Sequence, residues 1–279
     1  MYTAQALQTG QQPPRKGLWW LVPREYGAWS MLLTGYATTL AVADRLRPAA
    51  VWLLPATILL LMAKEPLERL LRAARSDRPA TLRCALILLA ELALSAVCGI
   101  AAARSAHDGA IYFLPAVAAP FYGVAVLLGF WGERWRTLRE LVATWGLLLV
   151  VPGTWLALGL GGDAAMWIVY LGLVLHFLYG VAFLRLQIVA GRTHMDDAEV
   201  RQGTILLAGS ASLITVGVVV VSLFGYLPIW AAVPLLPQMA RAYLWLGSGQ
   251  PWLAVHRLGR QEVALALSIL LLFTLLAHA

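Results

Sequence analysis

Apolar runs long enough to cross a lipid bilayer recur along the whole chain, separated by charged or Gly/Pro-rich breaks, and no other feature restricts its fold so tightly. A bilayer core asks for roughly 20 apolar residues per helix, and within it the backbone must satisfy its own polar groups. Such runs therefore read as α-helices. Nine candidate spans follow, near residues 27–43, 49–63, 82–101, 111–130, 140–160, 164–184, 203–223, 226–243 and 261–278. With 61% hydrophobic and only 13% charged residues over 279 positions, an ordinary soluble domain is excluded. The expected fold class is an all-α polytopic membrane helical bundle of about nine transmembrane helices, with the lipid bilayer as its surroundings. Residues 1–17 are polar, contain Pro13 and Pro14, and lack the features of a secretory signal, so they read as a flexible cytoplasmic tail. Residues 18–279 read as a single nine-helix transmembrane domain.

Charge orients the spans. Of the 21 Lys and Arg residues, 18 fall in the N-terminal segment and in alternate connections, and the other 3, Arg45, Arg47 and Arg104, fall on the opposite side. By the positive-inside rule the N-terminus is cytoplasmic and the C-terminus outside. The net charge of +7 is thus a topology signal. It is not a nucleic-acid footprint, because no basic run is interleaved with aromatics on a soluble module. On the outer side the connections are short, as in "LGLGGDAA" and "FGYLP". Two cytoplasmic connections, Lys64 to Arg83 and Arg185 to Gln202, are long and dense in charge, which concentrates polar chemistry at the cytoplasmic face.

Several residues are out of keeping with lipid. Glu25 follows Pro23 at the start of span one with Trp29 one turn on, and Glu262 takes the corresponding first-turn position of span nine. Acids at helix starts are stable dipole partners, and these two also face the cytoplasmic mouth. Glu91 and His176 lie inside spans, where ionisable groups are expensive and turn toward a cavity or a partner. Gly172 and Gly180 stand one turn either side of His176 on its own face, so a second helix can approach closely, and Tyr179 adds a hydroxyl. Span eight carries Pro228, Pro234 and Pro237, followed by Gln238 and Arg241. Prolines this dense interrupt a helix, and the freed carbonyls need partners. Cys84 and Cys98 share one span, 14 residues or about 21 Å of helix apart, and cannot bridge each other there. No Cys/His metal spacing, Walker loop or dinucleotide fingerprint occurs.

Two resemblances add to this. "PREYGAW" (Pro23 to Trp29), "HFLYGVAFLRLQIV" and "LGRQEVALALSILLLF" resemble signature segments of the YwiC-like family of bacterial membrane proteins, which implies the bacterial cytoplasmic (inner) membrane and carries no settled activity. The nine-helix plan, with polar cytoplasmic connections after spans two and six, is similar to that of the UbiA-type intramembrane prenyltransferases. In that family the two connections hold Mg²⁺ and a prenyl diphosphate. The resemblance implies a metal site of Glu65 and Glu68 in "AKEPLERLLR", glutamates where the family has Asn and Asp, with Asp196, Asp197 and Glu199 in "RTHMDDAEVRQGT". Lys64, Arg185 and Arg201 would then serve as catalytic cations that neutralise the leaving group. Glu25, Trp29, Arg69, His176, Tyr179, Arg241 and Glu262 would line the substrate. Spacing at i,i+3 suits carboxylates for octahedral Mg²⁺, yet acids and bases mixed in one connection are equally a solvated, self-paired surface. The function expected is binding, with or without transfer, of an isoprenoid or other lipid-like ligand. The competing class is a small-solute transporter or a non-catalytic accessory protein.

The charge asymmetry makes a direct prediction. Single cysteines introduced at Asp163 or His107 are expected to react with an impermeant maleimide on intact cells, and one at Arg201 only after permeabilisation. A cytoplasmic Asp163 would overturn the nine-span arrangement.

Overall fold

The computed structural model describes residues 26–73, 78–106, 109–132, 135–193, 197–248 and 255–277, and among them no strand occurs. The helices are α1 (Tyr26–Ala43), α2 (Pro48–Met62), α3 (Lys64–Ala73), α4 (Arg78–Ser105), α5 (Leu114–Phe130), α6 (Arg136–Leu147), α7 (Val150–Ala157), α8 (Ala164–Thr193), α9 (Asp197–Leu223), α10 (Leu236–Ser248) and α11 (Val255–Ala277). Two 3-10 segments, Gly109–Phe113 and Ile229–Leu235, precede α5 and α10. Each of the nine expected spans falls on helix. Among the described residues, 7 stretches are long and apolar enough to cross a membrane. The two spans outside that set are α1, diluted by buried Thr34, Thr38 and Thr39, and the interrupted stretch through α10.

The charged connections differ from their expected form. Lys64 to Ala73 is helical, and α8 and α9 run on through Arg185–Thr193 and Asp197–Gln202 rather than giving way to a long loop. Apolarity marks where lipid ends, whereas Arg, Lys, Gln and Glu propagate a helix as well as Leu does, so these helices continue beyond their apolar runs. The same effect starts α11 at Val255, so Glu262 lies beyond the first turn, not in it. Its role as a helix-end dipole partner is thereby replaced by a different contact, described below.

The described residues divide into two compact units, one of Pro55–Cys98 and one formed by 26–54 with 99–277. Within the first, the Ser95 hydroxyl donates to the Ala56 carbonyl at 2.8 Å, and Lys64 pairs with Glu68 at 4.0 Å across one turn of α3. Glu91 is buried, with one carboxylate oxygen lacking a protein partner.

The second unit is built around α8. Its apolar window is 56% buried, against 22% for α9 and α11, whose outer faces of Leu, Val and Ile are left for lipid. Met166, Val169, Tyr170, Leu173, Val174 and Phe177 of α8 pack with Met31 and Tyr36 of α1, Val150, Val151 and Trp155 of α7, and Ile269 and Phe273 of α11. The break between α6 and α7 has a covalent cause. Pro152 has no N–H to offer the Leu148 carbonyl, which instead accepts from Val151 in a tighter turn at 2.9 Å. Hydroxyls within the spans are mostly satisfied one turn back, as with Thr39 to the Gly35 carbonyl and Thr215 to that of Ala211, both at 2.8 Å, which lets them lie in a dry interior.

Two short turns close on glycines. After α7, Gly159 (φ +68°) donates to Leu156 and Leu160 to Trp155; after α9, Gly225 (φ +80°) donates to Ser222 and Tyr226 to Val221. Each is a Schellman cap, which needs a left-handed residue that glycine supplies without strain. Asp163 then starts α8 by accepting from the Met166 N–H at 2.9 Å.

Close approach on α8 is testable. A Cβ at Gly172 would stand 2.6 Å from Pro234 Cγ, and a proline ring cannot rotate away. Gly172→Ala is expected to destabilise the detergent-solubilised protein by about 1–3 kcal/mol. Gly217→Ala in α9, with nothing within 4 Å, should be neutral or stabilising. Equal thermal midpoints for the two variants would refute the tight packing.

Candidate functional site

The site begins with a proline pair. In the 3-10 segment before α10 the Leu236 N–H closes onto the Val233 carbonyl. Pro237 has no N–H with which to repeat that turn onto Pro234. The Pro234 carbonyl instead takes the His176 ring of α8, with Nδ1 donating at 2.8 Å. A carbonyl only accepts, so this bond puts the proton on Nδ1. The side-chain amide nitrogen of Gln238 then faces Nε2 at 3.4 Å, which suits a lone pair there and a neutral ring. His176 is fully buried and edge-on to Phe177, so it ties α8 to the interrupted stretch. Gly172 and Gly180, one turn to either side, leave the space: Gly172 lies under Pro234, and a Cβ at Gly180 would meet Glu262 Oε2 at 3.0 Å and Gln238 Nε2 at 3.2 Å.

One turn after Gln238, Arg241 is 7% exposed. Its Nη1 donates to Glu262 Oε1 of α11, and its guanidinium carbon lies 4.2 Å from the Phe183 ring centroid. The ring face is electron-rich and the carboxylate is charged, so both stabilise the cation away from water. Its Nε and Nη2 are buried without a protein partner among the described residues, as is the Gln238 carbonyl oxygen. These groups stand at a shallow recess, no roomier at rest than a single water needs, lined by Tyr179, Phe183, Leu207, Ala211, Gln238, Arg241 and Ala242. Tyr179 donates to Ser210 Oγ of α9 at 2.9 Å on the same side of α8. His176, Tyr179, Arg241 and Glu262 are thus brought together.

The remaining described candidates have surroundings of their own. Arg185 is held by Glu140 of α6, with Nε to Oε2 at 2.5 Å and a second bond from Nη2 to Oε1, while Arg136 adds a bond at 3.4 Å. Its guanidinium is therefore committed to a carboxylate. Lys64 is similarly engaged with Glu68, and Glu65 and the exposed Arg69 share α3 with them, in the other compact unit. Asp197 and Glu199 are exposed in the first turn of α9, where the helix dipole favours acids, and Arg201 is exposed just after them. Trp29 is half-buried on α1. Glu25 and Asp196 lie outside the described residues. Among the described residues no group of three or more His, Cys, Asp or Glu side chains is gathered as a metal ion would need.

Phe183 and Glu140 belong to these polar clusters without having been singled out in the sequence, and Gln238 was noted there without a role. Gln238 was legible as the polar residue after the proline pair, and Glu140 as an acid opening span five on the side where Arg185 closes span six. Nothing in the sequence marked Phe183. Chemically, the residues at the recess combine two unmatched nitrogen donors, one unmatched carbonyl acceptor and an apolar or aromatic wall.

The family described as YwiC-like protein matches the chain over residues 22–155, just under half its length. No curated protein and no solved structure matches it.

Pairing in this cluster predicts non-additivity. Removing one partner of a buried ion pair leaves the other charge uncompensated, at a cost of about 3–5 kcal/mol. Arg241→Met is expected to lower the thermal midpoint in detergent more than Arg241→Met with Glu262→Gln. A double variant as impaired as the sum of the singles would show that the pair carries no coupling.

Proposed function

We propose that this chain is a YwiC-like family protein of the bacterial cytoplasmic membrane, N-terminus inside, that binds an isoprenoid or other lipid-like amphipath. One observation carries the reading: Arg241 lines an apolar-walled recess, buried and paired, yet its Nε and Nη2 have no partner among the described residues. Leaving buried donors unmatched is costly, and ligand sites are where folds tolerate that cost. The Phe183, Leu207, Ala211 and Ala242 walls suit a hydrocarbon chain, and Arg241 with Gln238 suits its polar end.

Prenyl transfer asks for more. Mg²⁺ would be sought on Glu65, Glu68, Asp196, Asp197 and Glu199; Asp196 lies outside the described residues, the described ones are not gathered in threes, and no step is routed through the ion. Lys64 and Arg185, the cations assigned to the leaving group, are each engaged by a carboxylate. Binding is therefore the reading the geometry supports best. A small-solute transporter is the second reading, favoured by the 3-10 interruption before α10, since transporters place substrates at broken helices. Mg²⁺-independent uptake into proteoliposomes would favour it.

Native mass spectrometry of the purified protein tests binding. Wild type is expected to retain a lipid that survives removal of the detergent, and Ala211→Leu, which grows into the recess, to reduce occupancy about fivefold, equivalent to about 1 kcal/mol. Equal retention by both proteins would move the ligand elsewhere, and no retained lipid in wild type would refute the reading.

A further inference from the structure

The unmatched groups specify more than an amphipath; they specify the charge of its head. Nη1 of an arginine lies on the Cδ side of the guanidinium, and in Arg241 it is the nitrogen taken by Glu262. The two remaining nitrogens, Nε and Nη2, lie along one edge and point their N–H bonds the same way. The unpaired donors of Arg241 are therefore a complete side-on fork, spaced for two acceptor oxygens, not two scattered orphans. On shape alone that fork would suit a carboxylate or a phosphate.

Charge decides otherwise. Glu262 already neutralises Arg241, and its carboxylate is largely buried, with 14% of the side chain exposed. Of the other titratable groups at the cluster, His176 uses Nδ1 on Pro234 and faces an amide N–H at Nε2, and Tyr179 donates its hydroxyl to Ser210. The pair thus sums to zero before any ligand arrives. An anion on the fork would leave a net negative charge in an apolar enclosure, where uncompensated charge is strongly disfavoured. The third unmatched group, the Gln238 carbonyl oxygen, is an acceptor and calls for a hydroxyl or N–H.

Resting on the binding reading above, we infer that the recess takes an uncharged lipid headgroup carrying both acceptor oxygens and a hydroxyl, such as a glycerol ester, and that Glu262 is the residue that excludes anionic heads. The fork receives the acceptor oxygens, Gln238 receives the hydroxyl, and the carboxylate behind Arg241 sets the selectivity by cancelling a charge that would otherwise attract phosphate.

Competition among single-chain probes tests this. Purified protein in dodecyl maltoside is offered monoolein, hexadecyl phosphate and farnesyl diphosphate, and bound species are counted by native mass spectrometry. Wild type is expected to favour monoolein over either anion by at least about tenfold, a difference of 1.4 kcal/mol. Glu262→Gln, which leaves the cation unneutralised, is expected to reverse the order. Because the readout is a ratio within one sample, partial destabilisation of the variant does not mimic the result. Arg241→Lys keeps the positive charge but loses the fork, and is expected to lose monoolein at least about tenfold. A wild type that prefers hexadecyl phosphate or farnesyl diphosphate overturns the inference while leaving lipid binding intact, as does an unchanged ratio in Glu262→Gln. Absence of all three probes, together with no retained native lipid, overturns the binding reading itself.

Discussion

A backbone carbonyl that a proline deprives of its helical donor must find another donor when no water is at hand, and here His176 supplies it to Pro234. Much of the polar architecture depends on that bond. It anchors the interrupted stretch to α8, and it fixes the imidazole so that Nε2 turns to Gln238. One turn later the same stretch delivers Arg241 to Glu262 and to the Phe183 ring. Gly172 and Gly180 are the complement: without side chains, they let the proline ring and the Gln238–Glu262 pair lie against the α8 backbone. An interhelical hydrogen bond accounts for a buried histidine in a span, and its consequence is to position the residues that line the recess.

How much of this was legible depends on what each residue type signals. Apolar runs located every span, because lipid selects for them directly. They failed at the basic ends, where Arg185–Thr193, Asp197–Gln202 and the start of α11 are helical without being apolar. Glu262 was misplaced in the first turn for that reason. His176, Gly172 and Gly180 pointed to close packing, since each is expensive or weakening in a helix unless a neighbour needs it. The proline-rich span signalled freed carbonyls but not which side chain would meet them. Ion-pair partners were the least legible: Arg185 finds Glu140 across 45 residues, and no local pattern encodes that choice.

The two groups of acids separate on physical grounds. Asp197 and Glu199 open α9, where exposed carboxylates favour the positive end of the helix, and Lys64 with Glu68 is an ordinary pair one turn apart. Glu262 and Glu140 are different, because each holds an arginine of another helix. The acids that matter most to tertiary structure are thus the isolated ones, not those crowded together in the sequence.

The glycine-closed turn after α9 has a mechanical consequence. Gly225 and Tyr226 lock the chain reversal with two backbone bonds, so α9 and the stretch leading to α10 are hinged there with no slack. Displacement about a hinge grows with distance from it, and Pro234, held by His176, is a second fixed point further along. Between them the chain is pinned, and beyond them α10 is tied to α11 through Arg241 and Glu262 and to α9 through the Tyr243 and Ser212 hydroxyls at 2.9 Å. An inserted residue between Gly225 and Pro234 would therefore have to break one of the two fixings, whereas the same insertion beyond Ser248 would meet neither.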